Sequence, residues 1–148
     1  MKVKITIGLL GLAAVLAWAG MAGAQTATPA PKIQLPSGET VWDLNGDWDT
    51  VNENYGRFAR YGTYSNVYRI TQTGTTFGAI RLKDNPPPSS GRAGTPSLKG
   101  ELEKDEFKNV DIVDANGDSW FSTRQISEDG KKIVIDNGFT ARVTLTRP

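Results

Sequence analysis

KIVIDNGFTARVTLTR, residues 132–147, decides the fold. Three β-branched residues, Ile133, Val134 and Ile135, sit between Lys132 and Asp136. Asn137-Gly138 follows, the pair that tight two-residue hairpins favour because both positions tolerate positive φ. The second run then alternates. Phe139, Ala141, Val143, Leu145 and Arg147 fall on one face, and Thr140, Arg142, Thr144 and Thr146 on the other. Two such runs joined by so short a turn are antiparallel neighbours.

The same pattern repeats upstream. Short runs with period-two alternation or β-branched enrichment occur at 47–52, 64–72, 76–83, 97–103, 107–113 and 119–126, and with 132–136 and 139–147 they make eight strands. Thr73-Gly74, Asn116-Gly117 and Asp129-Gly130 supply turn chemistry between them. No helix of ordinary length is expected. The fold class is therefore all-β: an antiparallel up-and-down meander of about eight strands, the number at which a barrel closes around its own side chains or one small ligand. A two-sheet sandwich is the alternative, because closure cannot be read from alternation alone.

Two connections are longer. DNPPPSSGRAGTP, residues 84–96, is rich in proline and glycine, cannot join a ladder, and reads as an exposed loop. ENYGRFARYGT, residues 53–63, interleaves Tyr55, Phe58 and Tyr61 with Arg57 and Arg60. One reading makes this stretch a lid, with Arg57, Arg60 or Arg69 meeting an anionic group and Tyr64 or Tyr68 lining an apolar mouth. The plainer reading, given more weight, is that the aromatics plug the barrel end, since an eight-stranded barrel can fill itself.

Ahead of the strands, Lys2 and Lys4 precede an apolar run from Ile5 to about Ala19, and Ala22-Gly23-Ala24 precedes Gln25. That is the pattern of a secretory signal peptide over residues 1–24 with cleavage after Ala24. An uncleaved anchor is the competing reading, but the apolar run is interrupted by glycines and is shorter than the roughly 20 residues a spanning helix requires. The expected location is periplasmic or secreted, with no membrane span after cleavage. Residues 25–40, rich in Thr, Ala and Pro at their start, read as a flexible N-terminal arm, and residues 41–148 as the barrel domain.

Composition then narrows the chemistry. Losing Lys2 and Lys4 from 17 basic residues leaves 15 against 16 acidic ones, a balance with no signature of nucleic-acid binding. The chain has no Cys and no His. Disulfides, a lipid-modified cysteine, Ser-His-Asp or Cys-His catalysis and thiolate or imidazole metal sites are thereby excluded. No nucleotide-binding glycine loop is present, so neither an enzyme nor a cofactor is expected. Asp43-Leu44-Asn45-Gly46-Asp47 and Asp114-Ala115-Asn116-Gly117-Asp118 share a D-x-N-G-D pattern. Measured against a calcium loop, the second has Ser119 where Gly is needed and Gln125 where Glu is needed, so both read as Asn-Gly turns and no metal site is assigned.

Gly46-Asp47-Trp48 is a G-x-W element at the start of the first long strand, and in this the chain resembles lipocalins and the wider calycin-type barrels, avidins and fatty-acid-binding proteins included. The resemblance implies that Trp48 sits at one barrel end with a last-strand arginine packed across it. Arg147, in phase with Val143 and Leu145, suits that place, with an indole face as its partner. The competing reading is a frayed residue one position from the terminus. The chain departs from lipocalins in its shorter domain and lack of disulfides, and from avidins in its tryptophan set. Leu35-Pro36-Ser37 followed by Leu44-Asn45-Gly46-Asp47-Trp48 is also similar to the opening of small periplasmic barrels that inhibit secreted metalloproteases through their N-terminus, although those carry a disulfide.

The expectation drawn from this is a non-enzymatic exported barrel that binds a small, partly apolar or anionic ligand. Trp48, Tyr55, Arg57, Tyr64, Tyr68 and Arg147 are the candidate ligand-binding residues. The alternative is an envelope protein-binding module or protease inhibitor that meets an exported partner through the arm or the proline-rich loop.

Overall fold

Short alternating strands cannot satisfy their own backbone, so each pairs with its neighbours and turns its apolar row inward. The computed structural model describes residues 28–148. The leader read in the sequence lies outside the described residues. The strands are β1 (Lys32–Gln34), β2 (Thr40–Trp42), β3 (Gly46–Asn54), β4 (Thr63–Thr73), β5 (Thr76–Arg81), β6 (Pro96–Glu103), β7 (Glu106–Val113), β8 (Ser119–Phe121), β9 (Thr123–Ile126), β10 (Lys132–Asp136) and β11 (Ala141–Thr146). A 3-10 helix, Gly56–Tyr61, lies between β3 and β4. β3 to β11 form one antiparallel sheet in the order β8-β7-β6-β5-β4-β3-β11-β10-β9, curled into a nearly closed barrel.

The two ends of that sheet are halves of one expected strand, 119–126, parted at Ser122. β8 pairs with β7 through Ile112↔Trp120, and β9 pairs with β10 through Val134↔Gln125. A single run of chain thus changes partner midway and draws the ends together, which is why eight expected strands become nine. Backbone pairing lapses at the changeover, and side chains take its place. Buried Ser122 donates its hydroxyl to the Val110 carbonyl, while Arg124 donates from Nε to Phe107 O at 3.2 Å and from Nη2 to Lys108 O.

The segment expected to be a flexible arm through residue 40 instead contains a hairpin from residue 32 onward. β1 pairs with β2 through Ile33↔Val41, Ala30 N–H donates to Asp129 O at 2.7 Å, and Val41 and Trp42 are buried. Three-residue strands are too short to register as alternation, so the sequence carried little sign of them. The hairpin packs Trp42 against Gly130, whose φ is +69°; a Cβ there would lie 2.6 Å from the indole. Only glycine satisfies both demands at that turn.

Inside the barrel the inward rows change character along the axis. At the hairpin end stand Trp48, Ile70, Phe77, Ile133 and Leu145, all buried; towards the other end the same rows continue as Thr50 and Asn52 on β3, Tyr68 and Asn66 on β4, Arg81 on β5 and Asn137 after β10. The apolar half is the core. The polar half is a lined mouth.

One sequence expectation on the last strand is corrected here. Phe139 was placed in phase with the core but is 77% exposed. Asn137 Oδ1 accepts from the N–H groups of Phe139, Thr140 and Ala141, which bends the chain so that β11 begins only at Ala141.

Candidate functional site at the polar end of the barrel

The polar ends of β3, β4, β5 and β11 surround a cavity of about 180 Å³. Phe58 and Tyr61 of the 3-10 helix line it, as do Ser89 and Ser90 of the proline-rich loop and Trp120 of β8. Both connections singled out in the sequence therefore come to the same mouth. Arg57 reaches over the mouth from the 3-10 helix, its guanidinium 5.1 Å from the Phe58 ring centroid and 5.6 Å from that of Trp120. Phe58 and Tyr61 border this space, in the segment that the sequence reading weighed as a plug or a lid. Two wider troughs, about 530 and 620 Å³, are more open to solvent.

Most polar groups around the cavity are committed to the fold. Asn66 donates to Lys83 O and to Asn85 Oδ1, both at 3.0 Å, and Asn85 donates to Ser89 Oγ at 3.0 Å, tying the proline-rich loop to β4. Asn137 donates to Thr140 Oγ1 at 2.8 Å within its turn. Tyr68, almost wholly buried, donates to Asn52 Oδ1 at 2.7 Å. Burial raises both tyrosine hydroxyls, that of Tyr68 well above the ordinary tyrosine range, and the nearby charge of Arg81 only partly offsets this. Both are therefore neutral hydrogen-bonding groups at physiological pH.

Arg81 differs from its neighbours. Its phase on β5, shared with buried Phe77 and Ala79, carries it inward, and only 5% of its surface is exposed. Nη1 donates to Thr95 Oγ1 at 3.0 Å and to Pro96 O, and Nη2 to Val113 O at 2.8 Å, but Nε has no acceptor. No carboxylate among the described residues comes within ion-pair distance of it. Glu53 and Asp114 border the same cavity; Asp114 Oδ1 accepts from the N–H groups of Asn116 and Asp118.

Of the six candidate residues, Tyr64 and Tyr68 line the cavity. Tyr55 and Arg57 belong to the segment over the mouth without lining it. The Tyr55 hydroxyl bonds Asp136, and burial followed by that bond raises its pKa. Trp48 and Arg147 stand at the far, closed end. The Arg147 guanidinium lies 4.7 Å from the centroid of the Trp48 ring and donates to Asp43 O, while Trp48 Nε1 donates to Leu44 O at 2.9 Å. Their pairing is what the barrel resemblance implied, but Trp48 is fully buried and does not line this cavity. Arg69, considered for an anion, forms a two-pronged pair with Asp47 on the outer face at 2.7 and 2.9 Å, and Arg60 donates to Tyr61 at 2.9 Å.

Arg81 and the buried amides escaped the sequence reading. The signal for Arg81 was the one that located Arg147, phase with apolar neighbours along a strand. Asp43 Oδ1 accepts from the backbone and side chain of Asn45, so both D-x-N-G-D segments use their first aspartate to hold a turn.

The chain matches no family model, and comparison with curated proteins and with solved structures detects no similar one. The likeness to calycin-type barrels therefore stands at the level of architecture, an antiparallel, nearly closed barrel.

Proposed function

We propose that the protein is a non-enzymatic, exported binding barrel, periplasmic or secreted, that holds one compact, partly apolar molecule at the polar end. The cavity beneath Phe58 and Tyr61 carries this reading. Tyr64, Tyr68, Ile112 and Trp120 offer faces to an apolar body, and Arg81 with the tyrosine hydroxyls offers polar contacts. The ligand is small. Drug-sized pockets run to about 300–1,000 Å³, and 180 Å³ corresponds to roughly six water molecules at about 30 Å³ each. Docking of an exported partner through the N-terminal segment is less favoured, because that segment is tied to the barrel from Ala30 onward.

Native mass spectrometry of the mature protein, purified without detergent from its own exported fraction, tests the proposal. A reproducible added mass, lost when Tyr68 is replaced by Trp to fill the cavity, is the expected result. A bare protein mass from every preparation, with no added mass after exposure to the host's small-molecule extract, overturns it.

A further inference from the structure

Arg81 is a buried cation on the cavity wall with an unpaired Nε and no counter-charge among the described residues, and on that ground we infer that the ligand of this cavity is an organic anion, a carboxylate or similar acid, gripped by the Arg81 guanidinium. The inference rests on the binding function proposed above. Arg69 provides a comparison within the chain, since its Nε and Nη2 together take both oxygens of Asp47. This is the side-on fork that makes arginine selective for planar two-oxygen anions. In Arg81 no carboxylate among the described residues takes that edge. Nε is unpaired, and Nη2 donates to the neutral Val113 O.

The setting strengthens the argument. A guanidinium removed from water with neither a counter-charge nor a full set of acceptors is destabilising, so a fold that retains one keeps an uncompensated charge. Every acceptor Arg81 has is neutral, which fixes the position of the guanidinium and leaves its charge unanswered. The backbone around it is closely fitted: a Cβ on Gly91 would lie 3.0 Å from Arg81 Nε and 2.3 Å from Asn85 Nδ2. Competing cations near the mouth are already occupied, Arg142 by Asp136 at 2.9 Å and Arg57 by aromatic rings. Glu53 and Asp114 on the same wall disfavour a second negative group, so the ligand carries one acidic head and a compact apolar body.

The test uses the mature protein labelled with ¹⁵N, titrated with sodium benzoate and, separately, with its neutral analogue benzamide at matched ionic strength. Two signals are followed, the Arg81 Nε–H and the Trp120 indole N–H. Both probes should shift the Trp120 signal, benzoate alone should move the Arg81 Nε–H downfield, and benzoate should bind at least tenfold more tightly. Arg81→Gln should erase that preference. The comparison in the unaltered protein stands even if this variant does not fold. Equal affinity for the two probes with an unmoved Arg81 signal overturns the anion assignment and leaves the binding cavity standing. No response at Trp120 to either probe overturns both.

Discussion

Replacing Arg147 with Ala should destabilise the barrel by about 2–3 kcal/mol although it alters the penultimate residue. The guanidinium lies over a wholly buried indole at 4.7 Å, a geometry worth about 2 kcal/mol when desolvated. Its hydrogen bond to Asp43 O adds about 1.5–3 kcal/mol, as bonds from charged donors do. Against these stands Arg147 Nε, buried without an acceptor, whose removal returns about 1–2 kcal/mol. For a domain of this size each kcal/mol moves Tm by roughly 3–6 °C, so the expected fall is about 10 °C. Urea unfolding followed by tryptophan fluorescence, with an unchanged m-value, measures the loss. A double-mutant cycle with Trp48→Phe should return a coupling of about 1 kcal/mol. A stability within about 0.3 kcal/mol of the unaltered protein would show that the last strand frays before Arg147 and that the closed end is held by other contacts.

Two further perturbations probe the mouth of the barrel and the turn on which the hairpin packs. Tyr68 ionises in the folded protein well above the ordinary value of 10, so the unfolded chain gives up that proton first; its stabilising contribution is complete below about pH 10 and is lost as pH rises further, by up to about 1.4 kcal/mol per pH unit. Tyr68→Phe should cost about 1 kcal/mol at pH 7 through the lost bond to Asn52 and flatten the alkaline decline; an unchanged slope in denaturant midpoints above pH 10 would contradict this. Gly130→Ala should cost about 3 kcal/mol, through positive φ and the Trp42 ring 2.6 Å from the new methyl, whereas Gly117→Ala, also at positive φ but facing open space, should cost about 1 kcal/mol. Equal losses by thermal unfolding would mean that Trp42 is not docked on that turn.

The strand pattern was legible because alternation and turn residues are local. All eight expected runs correspond to sheet strands, and 132–136 coincides with β10 residue for residue. What escaped the sequence depends on distant partners. Ser122 looks like any strand serine until β7 and β10 are seen on either side of it, and the three-residue strands of the hairpin carry no periodicity. At the site, Tyr64 and Tyr68 were found because aromatics on a strand beside a covering loop point to a mouth. Arg81 was overlooked because the search for an anion partner went to arginines near aromatics in sequence, while burial is decided by strand phase. Trp48 and Arg147 were correctly paired but belong to the end of the barrel that holds it shut.

The strand that changes partner at Ser122 also governs how copies of the molecule meet. Growth of a fibril or a sheet-extended dimer requires a row of unpaired amides long enough to template another chain. Here the outer edges belong to β8 and β9, three and four residues long, and the Arg124 guanidinium sits on the carbonyls of β7 where an incoming strand would bind. The ring offers a neighbour no register to extend, so a cysteine-free barrel gains resistance to polymerisation from the way its last gap is closed.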